Sequence, residues 1–412
     1  MNSKSSKRAW VVFVGLCIYY FVAFGLLYSS FGLFLTPMSN DLGISYATLS
    51  LTPTVRVLCG TLVTSVVAKI YQRTNLRFFL SAVVIVMGAA IFLLSRTTQV
   101  WSIMLLYAVI GVCCGLSLYS TIPMVLNQWF KAPATVISIA IACGGLGGVI
   151  ITPVMSNLIN EHGWRMGYII MAIAVVVILV PISLILLDYS PARRGLEPAE
   201  GIKRKTQNVT MSLAAQNDTA YNKGNLIMCA IMFFFGSLSG GMYMHISSSL
   251  YTKGFDAAQV ALFISFYQLG TMLFQLMPGF ISSWIGPAKV AFISMPLLIA
   301  GAIAGIFINS GSPFILIVIV VMLMGGARLF TAYSSIYARY VFGNVRFDQA
   351  FSKLQMCTLA GAASSSFIYG GLFQLSGTYI SQGGSAILSN FLGLGFMLCC
   401  SRYTNEKKGT QK

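Results

Sequence analysis

Long apolar runs alternate with short polar breaks along the whole chain. A run of about 18 residues or more crosses the hydrocarbon core of a bilayer as an α-helix, so the pattern predicts an all-α polytopic membrane protein. The strands of a membrane β-barrel would be about half as long, which excludes that class. Twelve helices are predicted, at about residues 10–35, 46–70, 78–95, 101–126, a fifth ending near 158, then 163–187, 225–250, 258–281, 290–308, 314–338, 354–375 and 379–400.

One long polar segment, residues 188–223, interrupts this alternation. It predicts a cytoplasmic linker between an N-terminal six-helix half, residues 1–187, and a C-terminal six-helix half with a cytoplasmic tail, residues 224–412. The basic residues of the linker are interpreted as a solvated topology signal and not as a site for a specific partner.

The formal charge of +17 comes from 26 Lys and Arg against nine Asp and Glu. On the predicted helices, 21 of these 26 cations lie in termini or loops on one side, and only Arg96, Arg165 and Lys253 lie on the other. This is the positive-inside asymmetry, so both termini are predicted to be cytoplasmic in a plasma (inner) membrane protein. The charge is spread through short loops and not gathered on one folded face, which argues against nucleic-acid binding.

The nine cysteines all fall in apolar segments, without a CxxC or Cys/His metal spacing. They are interpreted as small buried hydrophobes, and neither disulfides nor a metal or other cofactor is expected. The sequence also shows no nucleophile–base set and no phosphate-binding loop, so an enzyme is not expected.

Two arginines, Arg328 and Arg56, fall deep inside predicted helices. A guanidinium remains charged there and costs a few kcal/mol on insertion scales, so it marks a substrate or ion path by default. Every Asp and Glu falls in a predicted loop or terminus, which suggests that an anionic substrate is the counter-ion. The alternative is that each arginine hydrogen-bonds helix carbonyls and supports the fold.

Further polar and aromatic side chains align on predicted helix faces. Gln268, Thr271 and Gln275 share one side of helix 8, and Thr331 and Ser335 align with Arg328 on helix 10. An aromatic row on helix 1, of which Phe24 and Tyr28 are part, either packs or walls a ligand cavity. The predicted substrate-binding residues are Arg328, Arg56, Gln268, Gln275, Thr271, Tyr28, Phe24 and Thr331.

Glycines and one histidine complete the candidates. Small residues let membrane helices approach closely, so the glycines of helix 5 are interpreted as packing devices: Gly144, Gly145, Gly147 and Gly148. Gly240 and Gly241 are expected to loosen helix 7. His245 is the candidate for proton coupling, with a hydrogen-bonded structural histidine as the alternative.

Two six-helix halves joined by a long cytoplasmic loop resemble the major facilitator superfamily. Within it, residues 127–165 resemble the oxalate:formate antiporter and monocarboxylate transporter branch, through Trp129-Phe130-Lys131, Gly144–Gly148, Pro153 and Gly163–Arg165. The resemblance implies transport by alternating access around a mid-membrane site between the halves. The chain departs from the branch in helix 8, where Gln268 and Gln275 stand in place of the arginine of related carboxylate carriers.

The resulting hypothesis is a secondary transporter of a small organic anion, a mono- or dicarboxylate, held by guanidinium groups. With no predicted intramembrane acid, anion exchange is favoured over a proton-linked mechanism. The alternatives are polyspecific efflux of apolar or neutral compounds, proton-linked monocarboxylate symport, and a non-transporting sensor of the same fold. The expected partners are the organic anion and the lipid bilayer, and the chain is expected to function as a monomer.

Overall fold

The computed structural model describes residues 3–201, 223–241, 246, 249–344, 346–376, 384, 386–393 and 395. Over these residues the chain is helical, apart from turns and an isolated bridge between Phe130 and Ala199. It divides into two compact units, Met1–Lys203 and Arg204–Lys412, called here unit 1 and unit 2.

Unit 1 contains nine described α-helices. They are α1 (Ser3–Phe24), α2 (Leu35–Leu42), α3 (Tyr46–Leu49), α4 (Leu51–Thr64), α5 (Val67–Arg73), α6 (Leu76–Leu94), α7 (Val100–Ser117), α8 (Thr121–Trp129) and α9 (Ala134–Pro181). The described helices of unit 2 are α10 (Lys223–Leu238), α11 (Ala257–Ile285), α12 (Val290–Phe307), α13 (Phe314–Gly325), α14 (Leu329–Phe342) and α15 (Phe347–Ser376).

Among the described residues, six helical segments are long and apolar enough to cross a membrane. The number is seven if α4 and α5, which meet at a bend of 55°, form one span. The segment Ala134–Leu186 counts once, although Gly163 divides it with the non-helical angles φ 80° and ψ 163°. This break lies where the sequence places the turn between its fifth and sixth helices.

Helix 1 is one membrane-spanning segment, Ser6–Leu42, but it contains irregular turns that the apolar run does not predict. It begins at Ser3, passes through a π-helical turn at Gly25–Ser29 and a 3-10 turn at Phe31–Phe34, and continues as α2 to Leu42. The Ser30 hydroxyl donates to the Gly25 carbonyl at 2.8 Å, which satisfies one backbone acceptor of these turns. The predicted outer loop is correspondingly shorter, since it begins only at Gly43, which has φ 66°.

The start of α11 follows from local sequence. Asp256 accepts a hydrogen bond from the Gln259 backbone N–H at 2.8 Å, and the Gln259 side chain accepts one from the Asp256 N–H at 3.2 Å. This reciprocal capping box satisfies two donors of the first turn and fixes where the helix begins.

The first part of the predicted linker is folded onto unit 1. The carboxylate of Asp188 accepts two hydrogen bonds from the Arg77 guanidinium, at 2.8 and 2.5 Å, and is also paired with Arg194. The Asp188 carbonyl accepts the indole N–H of Trp129 at 2.8 Å. Arg194 of the linker therefore has a structural partner while it stays exposed, and the solvated topology signal remains a prediction. Residues 202–222 of the predicted linker lie outside the described residues.

Close helix contacts surround the first buried arginine. A Cβ added to Gly111 of α7 would lie 2.2 Å from the backbone carbonyl oxygen of Arg56 in α4. A Cβ added to Gly60 of α4 would lie 2.7 Å from the Gly111 oxygen. Because both neighbours are backbone atoms, glycine is required for this approach, as in other tightly packed membrane helices.

Candidate functional site

Arg328 lies at a local irregularity in the tenth predicted helix. The α-helix α13 ends at Gly325, a 3-10 turn covers Gly326–Arg328, and α14 begins at Leu329. Arg328 is only 7% exposed. The Leu329 backbone N–H donates to the Gly326 carbonyl, and Phe314–Phe342 is one helical segment long enough to cross a membrane, so the turn tightens the predicted helix without ending it.

Glycines near this 3-10 turn allow the backbone of α13 to contact the backbone of α11. A Cβ added to Gly325 would lie 2.4 Å from the Tyr267 carbonyl oxygen, and one added to Gly270 would lie 2.2 Å from that of Met322. The Thr271 hydroxyl lies 3.1 Å from the carbonyl oxygens of both Tyr267 and Gly325. The single proton of Thr271 is therefore shared between one carbonyl of α11 and the last carbonyl of α13.

A chain of hydrogen bonds links α11 to the backbone of Arg328. The Thr331 hydroxyl donates to the Arg328 carbonyl at 2.8 Å, and the Gln275 amide Nε2 donates to the Thr331 hydroxyl oxygen at 3.4 Å. Gln275 is 2% exposed and Gln268, two turns earlier on α11, is 4% exposed. The predicted polar face of helix 8, which is α11 in the structure, is therefore buried inside unit 2.

Two members of this polar region were not predicted from the sequence. The Ser334 hydroxyl lies 3.1 Å from Oε1 of Gln355, which is on α15 and buried. An amide side chain within an apolar run is the only signal that the sequence gives for Gln355. Ser335, which the sequence aligns with Arg328, donates instead to the Ala332 carbonyl of its own helix at 2.8 Å.

Arg56 is held inside unit 1 and is 1% exposed. Its Nη1 donates to the Leu27 carbonyl, which belongs to the π-helical turn of helix 1. The guanidinium carbon lies 4.6 Å from the centre of the Phe31 ring and 5.6 Å from that of Tyr28, within cation–π range. Over the part of the chain that the structure describes, Nε of Arg56 has no hydrogen-bond partner.

The predicted aromatic row forms a stack on helix 1. The ring centres of Tyr20 and Phe24 are 5.5 Å apart, and those of Phe24 and Tyr28 are 4.7 Å apart. Phe24 is buried, whereas Tyr28 is partly exposed. The row therefore ends with Tyr28 beside Arg56. Tyr28 is one of the two aromatic neighbours of this guanidinium, and Phe31 is the other.

The glycine-rich stretch of α9 lies against α1. A Cβ added to Gly147 would lie 2.0 Å from the Phe21 carbonyl oxygen, and one added to Gly144 would lie 2.5 Å from the Tyr20 ring. Gly145 and Gly148 are also buried. His245, the candidate for proton coupling, lies outside the described residues.

The sequence matches known transporters. The profile of the Major Facilitator Superfamily matches residues 16–346. The MFS-type transporter pynF of Aspergillus niger is 26% identical over 204 residues, which cover 48% of this chain and 44% of pynF. The matched region thus spans less than half the length of this curated relative.

Solved transporter structures share the fold. The E. coli fucose:proton symporter FucP has a TM-score of 0.69 at 10% identity, over 95% of this chain and 99% of that one. The human organic anion transporter TETRAN has a TM-score of 0.67 at 14% identity, over 94% and 99%. The proton:xylose symporter XylE has a TM-score of 0.67 at 13% identity, over 98% of this chain and 96% of that one. The predicted all-α polytopic fold, twelve helices in two halves, is confirmed.

Proposed function

Because the chain belongs to the major facilitator superfamily, whose members move small molecules across lipid bilayers, we propose that it transports a small organic anion. The chain is an integral membrane transporter and not an enzyme. Mono- and dicarboxylates are the proposed substrate class. The resemblance of residues 127–165 to the oxalate:formate and monocarboxylate branch supports this class as part of the proposal.

The observation that carries the proposal is the position of Arg328. It is buried in unit 2, at a 3-10 turn inside the apolar segment Phe314–Phe342. A charged side chain at such a depth in a membrane helix marks a substrate or ion path by default. A guanidinium also has the geometry to bind a carboxylate through two parallel N–H donors.

Arg56 is proposed as a substrate contact of unit 1, and it also has a structural role. One of its nitrogens already supports the fold through the Leu27 carbonyl, whereas Nε has no partner among the described residues. The remaining proposed contacts are those predicted from the sequence: Gln268, Gln275, Thr271, Tyr28, Phe24 and Thr331.

Anion exchange is the proposed mode of transport. On the predicted topology no carboxylate lies within the membrane. The structure places Asp348, which the sequence assigns to a cytoplasmic loop, in the first turn of α15 with 6% exposure, and a relay of protons between several membrane acids is not part of the proposal. A positively charged empty site resists the rocking step until another anion enters it. His245, outside the described residues, is the group that proton-linked symport would require.

Relatives of the same fold act on different substrates. By name, FucP and XylE move a sugar with a proton, and TETRAN moves organic anions. The buried arginines of this chain support the anion class, and TETRAN is a protein of the same fold that moves organic anions. Location in the plasma (inner) membrane, cytoplasmic termini and monomeric function are proposed with it, from the distribution of positive charge and the superfamily's architecture.

The proposal is tested first by binding and then by exchange. Purified protein is melted with a panel of mono- and dicarboxylates, since a bound ligand raises the melting temperature. The anion that stabilises best is then followed into reconstituted vesicles. We expect internal unlabelled anion to stimulate uptake and a proton gradient alone to drive none. Uptake driven by the proton gradient alone would contradict exchange, and stabilisation by neutral compounds alone would contradict an anion site.

A further inference from the structure

The side-chain amide of Gln275 has a defined orientation. The proton of the Thr331 hydroxyl is used on the Arg328 carbonyl at 2.8 Å, so this hydroxyl can only accept from Gln275. Nε2 of Gln275 faces this hydroxyl as a donor, at 3.4 Å. Its carbonyl oxygen, Oε1, is consequently directed away from Thr331.

Oε1 of Gln275 is a buried acceptor that lacks a donor. The residue is 98% buried, and over the described ranges no hydrogen bond reaches Oε1. An unsatisfied buried carbonyl is costly, and almost all such groups in proteins have a partner. This oxygen is attached to the same network that ends on the backbone of Arg328, two hydrogen bonds away.

We propose that Gln275 accepts a hydrogen bond from a hydroxyl group of the transported anion, so that hydroxylated carboxylates are preferred over unsubstituted ones. This inference rests on the proposed function, because it concerns the anion bound by Arg328. A buried acceptor selects for a ligand that brings a donor, since the analogue without it leaves the acceptor unpaired. A keto acid in place of the hydroxy acid brings only a second acceptor and is also disfavoured.

The test compares acids that differ by one hydroxyl group. The purified full-length protein is titrated with malate against succinate and with lactate against propionate, and affinities are taken from the concentration dependence of the melting temperature. The hydroxy acid of at least one pair should bind about tenfold more tightly than its parent acid. In Gln275→Met, which keeps an unbranched side chain of similar length without the acceptor, this preference should disappear.

A second variant tests the same contact in case Gln275→Met does not fold. Thr331→Val removes the oxygen that holds Nε2 and should reduce the preference while the apo melting temperature reports that the protein is folded. A hydroxyl preference that persists in folded Gln275→Met would overturn the inference. Equal affinity for both acids of each pair in the wild-type protein would also overturn it.

These measurements distinguish the role of Gln275 from the proposed anion site. If carboxylates bind and Arg328→Gln weakens that binding, but no pair shows a preference, only the role of Gln275 is wrong. If no acid of either kind stabilises the protein, the proposed anion site is wrong and the inference falls with it.

Discussion

At the level of single residues, the two buried arginines occupy different environments. Arg56 donates to a backbone carbonyl that a π-helical turn makes available, and it lies over Phe31. Arg328 stands at the start of α14, beside a polar network that includes Thr331. The sequence shows that both are charges in apolar runs. It could not show that Leu27 is a partner of Arg56, because the irregular turn depends on tertiary packing.

The contact between Arg56 and Leu27 leads to a stability prediction. Arg56→Met should lower the free energy of unfolding by about 1.5–3 kcal/mol, because a buried carbonyl loses a charged donor. The measurement is the melting temperature of the purified protein. Arg96→Met is the matched control, since Arg96 is an exposed arginine of the same unit. Equal melting temperatures for the two variants would show that Arg56 does not support the fold.

Asp188 is predicted to be a structural carboxylate. Asp188→Asn should lower the free energy of unfolding by ~2 kcal/mol, because it weakens the bonds to Arg77 and Arg194 while these guanidinium groups stay close together. The partial exposure of both arginines limits the effect. Glu161→Gln, at an exposed carboxylate, is the control for thermal melting. A loss of equal size in the control would refute the assignment.

At the level of elements, hydropathy predicted where helices lie better than how they are interrupted. Apolar content reports burial in the bilayer, whereas a π or 3-10 turn depends on which carbonyls find donors. The loosening expected at Gly240 and Gly241 coincides with a 3-10 turn at Ser239–Gly241, because adjacent glycines are a local signal. The π and 3-10 turns in helix 1 and the 3-10 turn before α14 were not predicted from the sequence.

The contact between α4 and α7 should be intolerant of any side chain at Gly111. Gly111→Ala should destabilise the protein by about 1–3 kcal/mol, because its Cβ would lie 2.2 Å from a backbone oxygen that cannot swing away. Gly32→Ala is the control, since a Cβ there meets no atom within 4 Å. Thermal melting compares the two variants. A tolerated Gly111→Ala would mean that these helices can separate without loss.

At the level of the whole molecule, the fold class could be predicted from the sequence, whereas the substrate could not. Helix length, loop charge and the polar segment at 188–223 are global patterns that the bilayer and the two-half architecture impose on the sequence. The proposed substrate contacts, by contrast, are a few buried groups such as Arg328 and Gln275. Gln355 was missed because its partner Ser334 lies on another helix, 21 residues earlier.

The central claim is that Arg328 binds the transported anion, and one experiment tests it directly. Counterflow of the best-stabilising carboxylate is measured in vesicles containing wild-type protein, Arg328→Gln or Arg346→Gln, the last at an exposed arginine of the same unit. We predict that Arg328→Gln, folded and inserted normally, loses affinity by about 10–100-fold, the value of a charge-assisted hydrogen bond. Arg346→Gln should transport like the wild type. Unchanged uptake and affinity in Arg328→Gln would contradict the account.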